Sequence, residues 1–334
     1  MKILGTICKV VLAGILAIAI LCVVFAPYVF TPVHKSNPLG NTDYIWPSGG
    51  VWYKMTEGIS HGKFDANGYN NPSVVENPDI LLLGSSHMEA LDVNQDQSTA
   101  YVLDQLLPES SVYNLGISGH HFLKVCKYLP ATLALYPNEP EFIIIETDDI
   151  RFSPEDIDTL LQGTIEYTQS FDSGIIAALQ RFPFLRLMYL QSDDLLELML
   201  PKSEAGTPEQ PTIVTEAAYE ALFGYIRQVT ANCNSKIIIV YHPNGQLQPD
   251  GSVSFREPDQ SKALFAKKCE ESGIRFVDMA PAFGELYSQS HKLPHGFITG
   301  RIGYGHLNAD GHRCVAEELA NAIRQMRQEE MICK

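Results

Sequence analysis

Two short stretches far apart in the chain carry the residues best suited to covalent chemistry. Leu82-Leu83-Gly84-Ser85-Ser86-His87 places a serine straight after an apolar run. Gly305-His306-Leu307-Asn308-Ala309-Asp310-Gly311-His312 places a histidine straight before the last helical stretch. A serine hydroxyl is a weak nucleophile until a base lies within hydrogen-bond reach. Such pairs assemble in space and not in sequence, so an early strand-to-helix turn and a late loop can supply one. Taken alone, Ser86 reads as an ordinary small residue or cap in a turn. It gains weight from His306, which would sit at the entry to a helix whose N-cap is Asn308. His87 reads as local packing, and His312 falls inside the helix as a structural hydrogen-bonding residue. Tyr241-His242-Pro243-Asn244-Gly245 is a third polar stretch, in which Asn244 is either an amide donor to the site or a turn residue.

These stretches resemble the blocks of the SGNH (GDSL-like) hydrolases and acyltransferases. Gly84-Ser85-Ser86 matches the first block, with Ser86 as nucleophile. Asn114-Leu115-Gly116-Ile117-Ser118-Gly119 is similar to the second, with Gly119 as the oxyanion donor. His306 to His312 matches the last block, and the resemblance covers about residues 77 to 330. It implies an oxyanion hole of the Ser86 and Gly119 backbone N–H groups. In two places the chain departs from the pattern. The third block usually offers an asparagine donor, whereas here the run is Phe142-Ile143-Ile144-Ile145-Glu146-Thr147-Asp148-Asp149. An ionised carboxylate accepts hydrogen bonds and donates none, so neither aspartate replaces that donor; Asn244 is the candidate substitute. The family's orienting aspartate, three residues before the histidine, is replaced by Gly303. Asp148 and Asp149, at the end of a strand, are the candidates to orient His306; they could equally bind substrate hydroxyls or cap the following helix.

The elements that must position these residues alternate along the chain. Apolar runs at 80–83, 142–145 and 236–241 predict strands buried on both faces. Shorter strands are expected at 112–114 and 274–278. Helices are expected at about 98–107, 121–135, 258–272 and 309–329, a pattern of parallel strands covered by helices. The fold class is α/β, and the resemblance implies a three-layer α/β/α sandwich with a mainly parallel sheet, flavodoxin-like in arrangement. Ligands in such sheets bind at the carboxyl ends of the strands, where Ser86 and Gly119 fall. About ninety residues between the third and fourth strands, at about 151–234, read as a helical insertion with helices near 154–162, 173–182, 185–200 and 216–233. It is either a cap over the site or a thickening of the core.

The chain opens on a run without charge from Val10 to Ala26, after Lys2 and Lys9. With the preceding apolar residues it is long enough to cross a hydrocarbon core of about 30 Å. The positive-inside rule places the N-terminus in the cytoplasm and the remainder outside. A cleaved signal peptide is the alternative; the length favours an uncleaved anchor. Residues 1–31 are thus read as a transmembrane anchor, 32–76 as a juxtamembrane lead-in, and 77–330 as the α/β domain. Trp46 and Trp52 in the lead-in could line the membrane interface or pack on the domain edge.

A formal net charge of -15 over 334 residues argues against nucleic acid as a partner. Seven cysteines with no Cys-x-x-Cys suit a free-thiol core better than a disulfide framework or a metal cage. His306 and His312 do not form a metal pair, and no metal or cofactor is expected. Taken with the resemblance, these observations imply an extracytoplasmic serine esterase or O-acyltransferase, acting on acyl esters such as acetyl groups of cell-envelope glycans or on other small exported esters. The alternative is a non-catalytic protein of the same fold that binds glycan or a protein partner at the cell envelope.

Overall fold

The structure is a computed structural model that describes residues 2–25, 33–34, 44–54, 57–163, 184, 188, 214–255, 260–298 and 302–333. Five strands form its centre: β1 (Ile80–Leu83), β2 (Val112–Asn114), β3 (Phe142–Thr147), β4 (Lys236–Tyr241) and β5 (Arg275–Asp278). All neighbours pair in parallel, in the order β2-β1-β3-β4-β5. Every residue of β1 and β3 is buried, as unbroken Ile and Leu runs require when both faces are covered.

The alternation of side chains along the strands divides the core in two. Leu81, Leu83, Ile143, Ile145 and Ile239 face one layer, with Phe122, Phe223 and Phe265 packed against them. Ile80, Leu82, Ile144, Ile238 and Val240 face the other, against Leu103, Phe283, Val315 and Leu319. The helices are α1 (Lys2–Val24), α2 (Ser86–Glu89), α3 (Thr99–Leu106), α4 (Phe122–Leu135), α5 (Pro154–Leu161), α6 (Glu216–Val229), α7 (Ser261–Glu271), α8 (Ala280–Ser290) and α9 (Ala309–Cys333). Helices α4, α5, α6 and α7 contribute to the first layer, and α3, α8 and α9 to the second. The result is the three-layer sandwich expected from the sequence.

Helix α8 and the hairpin Gly245–Leu247/Val253–Phe255 are elements not expected from the residue pattern. Of the insertion, α5 and α6 bury Ile157, Leu160, Leu222 and Phe223 in the core, which is the thickening alternative for those two helices. The helices expected at 173–182 and 185–200 lie outside the described residues except for 188. Helix α1 has a stretch from Ile3 to Val24, 22 residues, apolar and long enough to cross a membrane. In the lead-in, Val51–Lys54 pairs with Ser60–Lys63. Trp52 is buried with Phe64 and Leu91, and Trp46 stacks on Phe64 at 4.8 Å, so both indoles pack on the domain edge. Cys126 and Cys269 are buried free thiols, and Cys8, Cys22, Cys233 and Cys314 are also free.

Candidate active site

The sheet order places β1 and β3 side by side while their outgoing connections diverge, and the crevice at such a switch point is where α/β sheets hold ligands. Gly84 leaves β1 there. A β-carbon at this position would lie 2.5 Å from Glu146 Oε2 and 2.7 Å from Met88 Cγ, so only glycine fits. Ser85 then caps α2, its hydroxyl accepting from the His87 N–H at 3.3 Å. The Ser85 N–H donates to Glu146 Oε2 at 2.7 Å. This turn fixes Ser86 at the first position of the helix, with its amide in the unpaired first turn.

His306 reaches the same crevice from a loop anchored on both sides. Asn308 accepts from the Asp310 and Gly311 N–H groups at the start of α9 and donates to the Leu293 and Gly296 carbonyls. His306 Nε2 lies 2.8 Å from Ser86 Oγ. On the other side of the ring, Nδ1 lies 2.8 Å from Glu57 Oε2, and the His306 backbone N–H donates to the same oxygen at 3.1 Å. Gly305, at φ +97°, allows this approach, because a β-carbon there would stand 3.0 Å from that carboxylate. The carboxylate can only accept, so Nδ1 carries the proton, Nε2 presents its lone pair, and the Ser86 hydroxyl donates to it. Asp92 Oδ2 is 3.4 Å from Nδ1, and Asp92 is itself paired with Lys54 Nζ at 2.6 Å.

The electrostatics follow from this geometry. The hydrogen bond from His306 holds the Glu57 carboxyl down at about 2. Burial disfavours charge on His306, but the Glu57 hydrogen bond and the nearby Asp92 charge outweigh it, and its pKa is raised above 6.5. Glu57, Asp92 and His306 could in principle surround a metal ion. Lys54 already pairs with Asp92, and Nδ1, the nitrogen that faces both carboxylates, carries a proton, so the set suits a proton relay better.

The expected orienting acids are elsewhere. Asp149 is held by Arg151, with Nε at 3.0 Å and Nη2 at 2.7 Å. Asp148 Oδ2 stands 4.0 Å from His87 Nε2. Neither contacts His306; Glu57, in the lead-in, occupies that place. Nothing local marks Glu57 in the sequence, since it lies 249 residues from His306 and belongs to no apolar pattern.

Gly119, at φ +80°, sits in a loop tied to the turn that carries Ser86. The Ile117 N–H donates to the Gly84 carbonyl at 3.0 Å, and Leu115 N–H to Leu82 at 2.7 Å. Glu89 at the end of α2 braces it, accepting from the Ser118 hydroxyl and N–H and from Trp46 Nε1. Burial raises the Glu89 pKa. Asn244 is half-buried after β4, and its side-chain oxygen has no hydrogen-bond partner. His87 packs edge-on against His242, and His312 bonds the Thr99 hydroxyl at 2.8 Å, both structural contacts. A cavity of about 640 Å³ opens on the carboxylate side of His306, lined among others by Gly58, Asp92, His295, Phe297 and Ile302.

No family model and no curated protein matches the chain. Solved structures similar to it include acetylxylan esterases and members of the lipolytic G-D-S-L family. An acetylxylan esterase, Axe2, of Geobacillus stearothermophilus is 16% identical with a TM-score of 0.40, over 74% of this chain and 94% of that one. LAE5, an α/β hydrolase enzyme from the metagenome of Lake Arreo, is 16% identical with a TM-score of 0.41, over 75% and 96%. A member of the lipolytic G-D-S-L family from Veillonella parvula is 13% identical with a TM-score of 0.38, over 72% and 94%.

Proposed function

We propose that the protein is a membrane-anchored serine esterase or O-acyltransferase that uses Ser86, His306 and Glu57. The observation that carries this reading is the continuous hydrogen-bond chain from the Ser86 hydroxyl through both nitrogens of His306 to Glu57. Ser86 Oγ attacks the ester carbonyl while its proton passes to His306 Nε2. The imidazolium is stabilised by Glu57 and by the Asp92 charge behind it. The backbone N–H groups of Ser86 and Gly119 hold the oxyanion, a contribution of about 3–4 kcal/mol per donor in comparable sites. Collapse of the tetrahedral species expels the alcohol, which takes the proton from His306. Water or an acceptor hydroxyl then gives its proton to His306 and attacks the acyl-enzyme carbonyl. Collapse of this second tetrahedral species breaks the bond to Ser86 Oγ, which takes the proton back from His306 as the acid or the new ester leaves. With the domain outside the cell, the substrates are acyl esters, such as acetyl groups, on envelope glycans or other exported molecules.

A single experiment tests both the chemistry and the orientation. A membrane-impermeant fluorophosphonate added to intact cells should label the wild-type protein. Neither Ser86→Ala nor His306→Ala should be labelled, although both should fold with unchanged melting temperatures. Labelling that requires lysis would overturn the outward orientation. Equal labelling of Ser86→Ala would remove Ser86 as the nucleophile.

A further inference from the structure

Behind the nucleophile lies a group of polar side chains that acyl transfer at Ser86 does not use. His87 follows Ser86, His242 follows β4, and His295 comes from the loop that precedes His306. Their exposures are 8%, 0% and 1%. One ring nitrogen from each lies within 4.8 Å of the other two. His242 Nε2 lies 2.6 Å from Glu146 Oε1. A carboxylate oxygen accepts, so that nitrogen carries the proton and His242 Nδ1 turns its lone pair inward. Nδ1 faces His295 Nε2 at 3.4 Å. Two nitrogens bound to one tetrahedral zinc ion, each about 2.1 Å from it, are separated by about 3.4 Å. The ring centroids stand 4.5, 5.6 and 6.0 Å apart, as three imidazoles around one point do. His295 Nδ1 is buried and has no hydrogen-bond partner.

We propose that His87, His242 and His295 form a binding site for a divalent ion of the zinc type. Three neutral imidazoles suit such an ion and not calcium or magnesium, which take oxygen ligands. Glu146, buried behind His242, fixes that ring's tautomer as carboxylates do behind metal-bound histidines. The fourth position faces Asp148, whose Oδ2 is 4.0 Å from His87 Nε2 and whose side chain is 46% exposed. Either that carboxylate or a water closes the shell. His295 also lines the 640 Å³ cavity, which gives the ion a way in. Loading costs two hydrogen bonds: His295 Nε2 and His242 Nδ1, 3.4 Å apart, must both turn lone pairs to the ion, and coordination of His87 through Nε2 gives up the bond that the Leu307 N–H donates to its Nδ1 at 3.3 Å. The bound ion clamps the turn that carries Ser86, the end of β4 and the loop that leads to His306.

The test reads metal and not turnover, so it stands apart from the proposed reaction. Full-length protein stripped with a chelator is titrated with Zn²⁺ and with Co²⁺. One ion should bind per chain, and Co²⁺ should show the strong visible absorption of a four-coordinate site. His295→Ala and the milder His295→Gln should each weaken Zn²⁺ binding about 100-fold or more, and Glu146→Gln about 10–100-fold. Their melting transitions show whether each variant is folded. His306→Ala should bind as the wild type does. Absence of stoichiometric uptake by the wild type, undiminished uptake by a folded His295 variant, or loss of uptake in folded His306→Ala would each overturn the proposal.

Discussion

In the proposed reaction, Glu57 sets how His306 behaves as a base. The imidazole can take the Ser86 proton only when Nε2 is free, so activity should rise with pH through the raised pKa of His306, above 6.5. In Glu57→Gln the charge is gone, and the amide N–H₂ can turn toward Nδ1 and favour the wrong tautomer. We expect kcat/KM to fall by about 10²–10⁴-fold, the scale seen when an orienting carboxylate becomes an amide. Asp92, 3.4 Å away, should soften that loss. The acid limb of the pH–rate profile should move to lower pH, because the group that raised the His306 pKa has been neutralised. A limb that stays in place would show that Glu57 does not set the base. Ser86 and His306 were legible in the sequence because each sits in a short local pattern. Glu57 was not, because a contact across 249 residues leaves no local trace. Asp148 and Asp149 were placed at the correct edge of the sheet, but Arg151 engages Asp149, and Asp148 lies nearest His87.

Strands announce themselves when both faces are buried, and β1, β3 and β4 fall where their unbroken apolar runs predict. Helix α8 was missed because Pro281 and Gly284 interrupt its pattern, and among its residues only Ala280 and Phe283 are buried. The joint between α3 and α9 was equally silent. There His312 Nδ1 meets the Thr99 hydroxyl at 2.8 Å and its N–H at 3.3 Å, fully buried, and burial holds the His312 pKa at about 3. Below 6.5 the unfolded chain protonates this histidine and the folded one does not. The contribution of His312 to stability should therefore be level above 6.5 and fall as the pH drops toward about 3. Thermal unfolding measured across that range should show the decline, and a folded His312→Gln variant should show a shallower slope. Equal slopes would mean that other groups govern the acid limit.

The lead-in is stitched into the sheet. Tyr113 Oη donates to Asp65 at 2.8 Å, and Asn114 exchanges hydrogen bonds with Asn71 at 2.9 and 3.0 Å, at the end of β2. The membrane-length helix and the α/β pattern could both be read from composition, whereas this stitching depends on side chains meeting across the fold. The region of block resemblance, beginning near residue 77, is therefore not a detachable unit. A protein cut to start at Pro78 keeps Ser86 and His306, but it leaves behind Glu57, which bonds the His306 ring, and the aromatic pair Trp52 and Phe64 packed against Leu91. One cut to start at Tyr44 is free of the apolar helix yet keeps all of them. We expect the longer product to turn over an ester substrate at close to the full-length rate and the shorter one to lose most of that rate; equal rates would show that the lead-in is dispensable. On that expectation the residues between the apolar helix and the sheet are working parts, and the place to shorten this chain lies well before the point where the familiar motifs begin.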